Sequence, residues 1–393
     1  MTAVLLKNIG ILLSGRLQEP VLNADAVLIK DGLIHHVGKI DEMIEEEAQT
    51  VIDCNGTTVT PGLIDTHCHP VFGDYTPKQN QIGFLDSMLH GGVTTAISAG
   101  EIHLPGRPTD PAGVKALAIL AAKSYANFRP GGIKVEGGAV ILEKGLTEDD
   151  FREMSREGVR LVGEIGLGSA KTVEDAGPMV KWAKANEMTT VMHTGGTSMP
   201  GSSTITAQMV MDMDPDVVSH INGGTTAISV DEVKKLVTDT AYALEIVHCG
   251  NPRVAVETVK LVLENEALER LIMGSDTPTG SGVMPLGMLR MLNFLSSLTP
   301  MRPEEAVCLI TGNAARVFGL NRGEIIPGKE ADLVIMDAPL GSVGENALAA
   351  LEAGDVPGVS MVLVDGEIKV MKSRNTPPAI KQASIMNGGV SCL

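Results

Sequence analysis

Between residues 61 and 320 the chain alternates eight times between a short apolar, β-rich run and an amphipathic helical stretch. This alternation constrains the fold more than any other feature. The runs fall at 62–69, 93–99, 133–142, 159–165, 189–193, 217–220, 243–248 and 271–276. Consecutive parallel strands need a crossover of a dozen or more residues, usually a helix. Segments such as PAGVKALAILAAKSYANF and SVDEVKKLVTDT supply it, and Thr147 with Asp150 three residues on has the form of a helix start. Eight such units in about 260 residues predict an α/β chain with a (β/α)8, TIM-like barrel. An open doubly wound sheet is the competitor, but no G-x-G-x-x-G follows the first run.

The flanks differ. Residues 1–60 contain short β-rich runs parted by the turn pairs Asp31-Gly32 and Asn55-Gly56, and residues 323–372 repeat that character around Asp365-Gly366. The expectation is one small β-sandwich domain built from 1–60 plus 323–393, with the barrel over 61–322. Only 3% of residues are aromatic, so aliphatic side chains, Ala and Met must fill the core. The 44 glycines exceed the usual share of about 7%, which points to tight turns or to backbone lying close to a ligand.

The formal charge of −17 argues against a nucleic-acid partner, because an acidic surface repels phosphates. The apolar stretch near 116–122 is bracketed by Lys115 and Lys123, far short of the roughly 18 residues a membrane span needs. Five widely spaced cysteines, Cys54, Cys68, Cys249, Cys308 and Cys392, form neither a disulfide framework nor a thiolate metal site. Reduced thiols and the lack of a signal-like start predict a cytoplasmic protein without a membrane partner.

Titratable residues gather at the ends of the runs. His67 and His69 close the first as His-Cys-His, so on a strand they share a face while Cys68 points away. Glu164 ends the fourth run, His193 the fifth, His220 the sixth and Asp276 the eighth. The intervals are 29 residues from Glu164 to His193 and 27 from His193 to His220, one strand–helix unit each. His220 to Asp276 is 56 and His69 to Glu164 is 95, about two and three units. In such a barrel the C-terminal strand ends carry the active site. Four imidazoles and two carboxylates suit two metal ions that lower the pKa of a bridging water and polarise a carbonyl. Asp276 would then be both ligand and catalytic acceptor of the hydroxide proton, passing it to the leaving group.

The segments VTPGLIDTHCH and GGVTT (91–95), the late His193, His220 and Asp276, and GEIIPGKEADLVIMD together resemble the amidohydrolase superfamily over essentially the whole chain. The resemblance implies metal-dependent hydrolysis of an amide or another C–N bond. One departure matters: many members bridge their metals with a carbamylated lysine on the fourth strand, where this chain has Glu164. Lys134, on the third run, is read as structural. Glu164 is shorter than a lysine carbamate, so Gly163 and Gly166 must allow close approach; otherwise the site holds one metal. The segments HGGVTTAISAG, GGAVILEKGLTE, MHTGGTSMPGSST, VVSHINGG and EIVHCGNP narrow the resemblance to members that open a cyclic enamide. It implies conversion of 6-oxo-1,4,5,6-tetrahydronicotinate to 2-formylglutarate and ammonia. It also implies two divalent or trivalent metals, zinc with iron or a zinc pair, and a homo-oligomer, a tetramer. A dihydropyrimidinase-, hydantoinase- or dihydroorotase-like ring opener is the alternative. A mononuclear deaminase would carry a Glu soon after the third metal histidine, where this chain has Thr194-Gly195-Gly196-Thr197.

A small cyclic amide bearing a carboxylate needs a local cation. Lys78, Arg107 and Arg253 follow strands and are candidates. His248, and more weakly His103, lies where it could meet substrate. Glycine-flanked loops at 194–198 and 222–226, including Gly196 and Asn222, could offer donors to an anion.

Overall fold

The computed structural model describes residues 3–42, 48–71, 83–197, 203–223, 226–278 and 282–387. They form a mixed α/β fold. Each of the eight expected runs contains a strand: Leu63–Cys68, Val93–Ser98, Lys134–Glu136, Leu161–Ile165, Thr189–Met192, Val217–Val218, Ala243–Val247 and Leu271–Gly274. Each is followed by a helix, from Phe84–Leu89 after the first to Gly287–Leu298 after the last. The first three strands make one parallel sheet and the other five make a second, every neighbouring pair in parallel register. Isolated parallel bridges join Val140 to Val162 and Cys68 to Thr277, one at each margin between the two sheets. Nearly every residue of these strands is buried, as expected where helices cover a parallel sheet.

The third strand is shorter than its apolar run. Lys134–Glu136 stops at Gly137-Gly138, and Gly138 has φ +82°. A Cβ on Gly138 would lie 2.4 Å from the Ala118 carbonyl oxygen, so the chain presses on helix Pro111–Asn127 there and leaves the sheet. The capping pair is present as expected, with the Asp150 carboxylate accepting the Thr147 backbone N–H at 2.8 Å before helix Glu148–Arg156.

Both chain ends contribute to two further sheets. In one, Ser384–Asn387 pairs with Thr50–Asp53, and in the other Leu333–Asp337 pairs with Thr58–Pro61. Side chains from the two sheets, among them Leu6, Val27, Ile52, Val59, Leu333 and Leu363, share one apolar cluster. Lys134 ties these ends to the middle. Its ammonium lies 2.8 Å from Asp332 and 2.7 Å from both Glu330 and Asp365, almost wholly buried. A buried ammonium surrounded by three carboxylates is a structural clamp, as the sequence suggested. Among the described residues no helix is long and apolar enough to cross a membrane.

Candidate metal centre

Six residues from five strand ends converge. His67 is on the first strand and His69 one residue beyond it, Glu164 is on the fourth, and His193, His220 and Asp276 lie just past the fifth, sixth and eighth. None is more than 6% exposed. Cys68 turns away from its two neighbours into the apolar core and donates its thiol to the Ile97 carbonyl at 3.3 Å. His220 (φ +30°) and Asp276 (φ +55°) hold left-handed backbone, which non-glycine residues adopt only when their surroundings enforce it. The Asp276 N–H donates to the His67 carbonyl (2.8 Å), and the His69 N–H to the Thr277 carbonyl (2.8 Å). Asp65 adds to this seam: one carboxylate oxygen accepts both the His67 and the Ser275 backbone N–H, and burial lifts its pKa to about 6 despite those bonds.

Glu164 stands at the centre. One oxygen lies 2.7 Å from His220 Nε2 and 3.3 Å from His193 Nδ1, and the other 3.8 Å from His67 Nε2 and 3.7 Å from His69 Nε2. Asp276 Oδ1 is 3.2 Å from His69 Nε2 and 3.7 Å from His67 Nε2. Two ligands about 2.0–2.1 Å from one tetrahedral metal stand about 3.3 Å apart, close to these spacings. The donor atoms form two groups able to hold an ion, His67–His69–Glu164 and Glu164–His193–His220, with Glu164 in both. The buried Nε2 of His67, facing Glu164 and Asp276, has no hydrogen-bond partner, as befits a lone pair kept for a metal. The short glutamate side chain thus reaches both groups. Its strand is tightly set, since a Cβ on Gly163 would stand 3.1 Å from the Ala99 carbonyl oxygen.

The electrostatics follow from burial and mutual contact. Burial alone would raise the Glu164 pKa, but the His67 charge and hydrogen bonds from His193 and His220 hold it well below the usual range. Burial opposes charge on His67 too, yet Glu245 and Glu164 lift it well above 6.5. His220 is also raised, its contact with Glu164 outweighing burial, whereas burial dominates at His193 and lowers it. Asp276 is held low, with burial overcome by His69 and by the neighbouring imidazole charges. Without metal the cluster is a proton-linked network of imidazoles around two carboxylates.

Sequence reasoning passed over Glu245. It lies mid-strand in Ala243–Val247, fully buried, with one oxygen 2.9 Å from His67 Nδ1. A glutamate interrupting an apolar strand was the available signal, because Glu is almost never buried unpaired.

Several of the expected substrate-side residues have partners within the fold. Arg107 is bound to Glu143 at 2.7 Å. The Asn222 amide pairs with the backbone of Val247, donating at 3.0 Å and accepting at 2.9 Å. The N–H groups of Gly195 and Gly196 donate to Ile205 and Thr226 carbonyls, and that of Gly223 to His220, so the proposed anion-binding loops have no spare donor at these positions. His248 lines a cavity of about 390 Å³ with Arg290, Met291 and Phe294, and burial followed by the Arg290 charge lowers its pKa. His103 stacks edge-on against His69, ring centroids 4.8 Å apart. Lys78 lies outside the described residues.

A constellation of this kind, at the ends of parallel strands, defines a class of metal-dependent hydrolases. The Amidohydrolase family model matches residues 58–369, and the chain belongs to that family. Its sequence is 56% identical over 386 residues to enamidase from Eubacterium barkeri, covering 98% of this chain and 100% of that one. The crystal structure of enamidase superposes with a TM-score of 0.95 at 56% identity, again over 98% and 100% of the two chains. Imidazolonepropionase from Pseudomonas aeruginosa (strain UCBPP-PA14) is 26% identical, over 80% of this chain and 87% of the relative. The β-aspartyl dipeptidase of Fervidobacterium islandicum AW-1 shares the fold at 18% identity, with a TM-score of 0.62 over 95% and 98% of the chains.

Proposed function

We propose that this chain is an enamidase that opens 6-oxo-1,4,5,6-tetrahydronicotinate. Water adds to the ring carbonyl, the C–N bond breaks, and the released enamine takes up a second water to give 2-formylglutarate and ammonia. The observation that carries the reading is the 56% identity to enamidase over 98% of the chain. The His, Glu and Asp cluster supplies matching chemistry.

His67, His69, Glu164, His193, His220 and Asp276 would hold two metal ions, with Glu164 common to both. Bound there, the ions supply an acidified water and a polarised carbonyl. Imidazole and carboxylate ligands accept zinc and iron alike, so zinc with iron, or a zinc pair, is proposed. Asp276 is ionised in its surroundings and faces His67 and His69, the position of an acceptor for the proton of the attacking water. That proton goes next to the ring nitrogen, which leaves as a neutral amine. Burial of the six side chains keeps bulk water from quenching these charges.

The same reading treats the eight parallel strands as a closed (β/α)8 barrel over 61–322. The bridges Val140–Val162 and Cys68–Thr277 between the two sheets favour it. The terminal sheets would be a β-sandwich of 1–60 plus 323–393, in keeping with their shared apolar cluster. A homo-oligomer, a tetramer, acting in the cytoplasm completes the proposal; Cys54, Cys68 and Cys308 take no part in a disulfide, in keeping with a reducing compartment.

Ammonia release from 6-oxo-1,4,5,6-tetrahydronicotinate, run beside hydantoin, dihydrouracil and dihydroorotate, tests the substrate. Turnover of the first alone is expected. Turnover of another ring with none of the first would reassign the enzyme.

A further inference from the structure

We infer that Glu245 is a positioning residue that fixes one imidazole from each half of the metal centre and so sets the affinity of both metal positions together. The inference rests on the two-metal reading above.

The Glu245 carboxylate is fully buried, and each oxygen is occupied by donors. Oε2 accepts from His67 Nδ1 at 2.9 Å, from the Ser219 hydroxyl at 2.7 Å and from the His220 backbone N–H at 3.3 Å. Oε1 accepts from the Thr66 hydroxyl at 2.5 Å. Ser219 Oγ, 2.7 Å from His67 Nδ1, gives its own proton to Glu245, so it shares the imidazole N–H with the carboxylate. Three chain segments therefore meet on one side chain: the end of the first strand, the turn after the sixth, and the seventh strand itself.

Two consequences follow. With its proton on Nδ1, His67 presents an Nε2 lone pair, and this is the atom that faces Glu164 and Asp276 without a hydrogen-bond partner. A carboxylate behind a ligating imidazole fixes its tautomer and raises its basicity. The second consequence concerns His220, whose φ of +30° needs an external restraint. Its N–H bond to Glu245 is such a restraint, and its ring meets Glu164 on the far side at 2.7 Å. His67 belongs to one candidate metal group and His220 to the other, and Glu245 is hydrogen-bonded to both.

Competition with graded chelator on the metal-loaded enzyme tests this, read as metals retained per chain, for the wild type, Glu245→Ala and Glu245→Gln. In Glu245→Ala both positions weaken in parallel by about 10–100-fold. Glutamine can keep an oxygen toward His67 and turn its amide toward Thr66, so Glu245→Gln recovers most of that loss. Cobalt-substituted protein supplies a readout that a merely structural role would not move: its visible absorption bands shift in Glu245→Gln while the urea midpoint stays near that of the wild type. If Glu245→Ala does not fold, Ser219→Ala replaces it, with a smaller loss at the His67 position expected. A Glu245→Ala variant that retains both metals as tightly as the wild type overturns the inference, and so does selective loss at the His67 position in that variant. Wild-type protein that binds no more than one metal per chain overturns instead the two-metal reading on which it depends.

Discussion

Replacing Glu164 by glutamine should destabilise the metal-free protein in a way that depends on pH with a definite sign. In that state Glu164 is the counter-ion of His67 and His220, whose pKa values are both raised. Glutamine preserves the shape and removes the charge, leaving buried imidazolium groups without their partner at 2.7–3.8 Å. Removing one member of a buried pair costs about 3–5 kcal/mol. A histidine with a raised folded pKa contributes stability that is fully present below its unfolded value near 6.5 and is lost as pH rises through the folded value. Glu164, held low, contributes above its unfolded value of 4.5 and loses that contribution as pH falls through its folded value. Both contributions are therefore present at pH 6. The variant should be about 3–5 kcal/mol less stable there, and the gap should narrow steadily toward pH 10 as the imidazoles become neutral in both proteins. Urea unfolding of chelator-treated protein, followed by circular dichroism across that range, measures it. A difference that is independent of pH, or that widens as pH rises, would refute the assigned pairing.

Three further outcomes follow from the same geometry. Gly274→Ala would place a Cβ 2.5 Å from the Cβ of His67, so overpacking of about 1–3 kcal/mol and weaker metal retention should appear together in denaturation and chelator assays. Asp276→Asn removes the proton acceptor, and steady-state kinetics should show kcat falling by about 10²–10⁴-fold with KM little changed. Lys134→Met leaves Asp332, Glu330 and Asp365 without their ammonium, which should cost about 3–5 kcal/mol in urea unfolding while metal content per folded chain is unchanged.

The strand ends that build the site were legible because their five apolar runs stop at or beside a His, Glu or Asp, and the intervals between them match whole strand–helix units. The third strand was overextended because hydropathy alone does not reveal that Gly138 turns the chain against Ala118. Arg107 and Asn222 look like free recognition groups in the sequence. Their partners, Glu143 and Val247, are 36 and 25 residues away and become neighbours only in the fold. Glu245 was hidden for the opposite reason: it sits inside an apolar strand, and its value depends on donors from Thr66, His67, Ser219 and His220 that local pattern cannot locate.

Two metals held on either side of Glu164 are proposed for this amidohydrolase. Titration of metal-free protein with zinc and iron, following ammonia release from 6-oxo-1,4,5,6-tetrahydronicotinate against equivalents added, addresses it directly. Turnover that rises and saturates at two metals per chain is the predicted result. Full turnover at one equivalent or fewer, or metal binding without turnover at any loading, would contradict it.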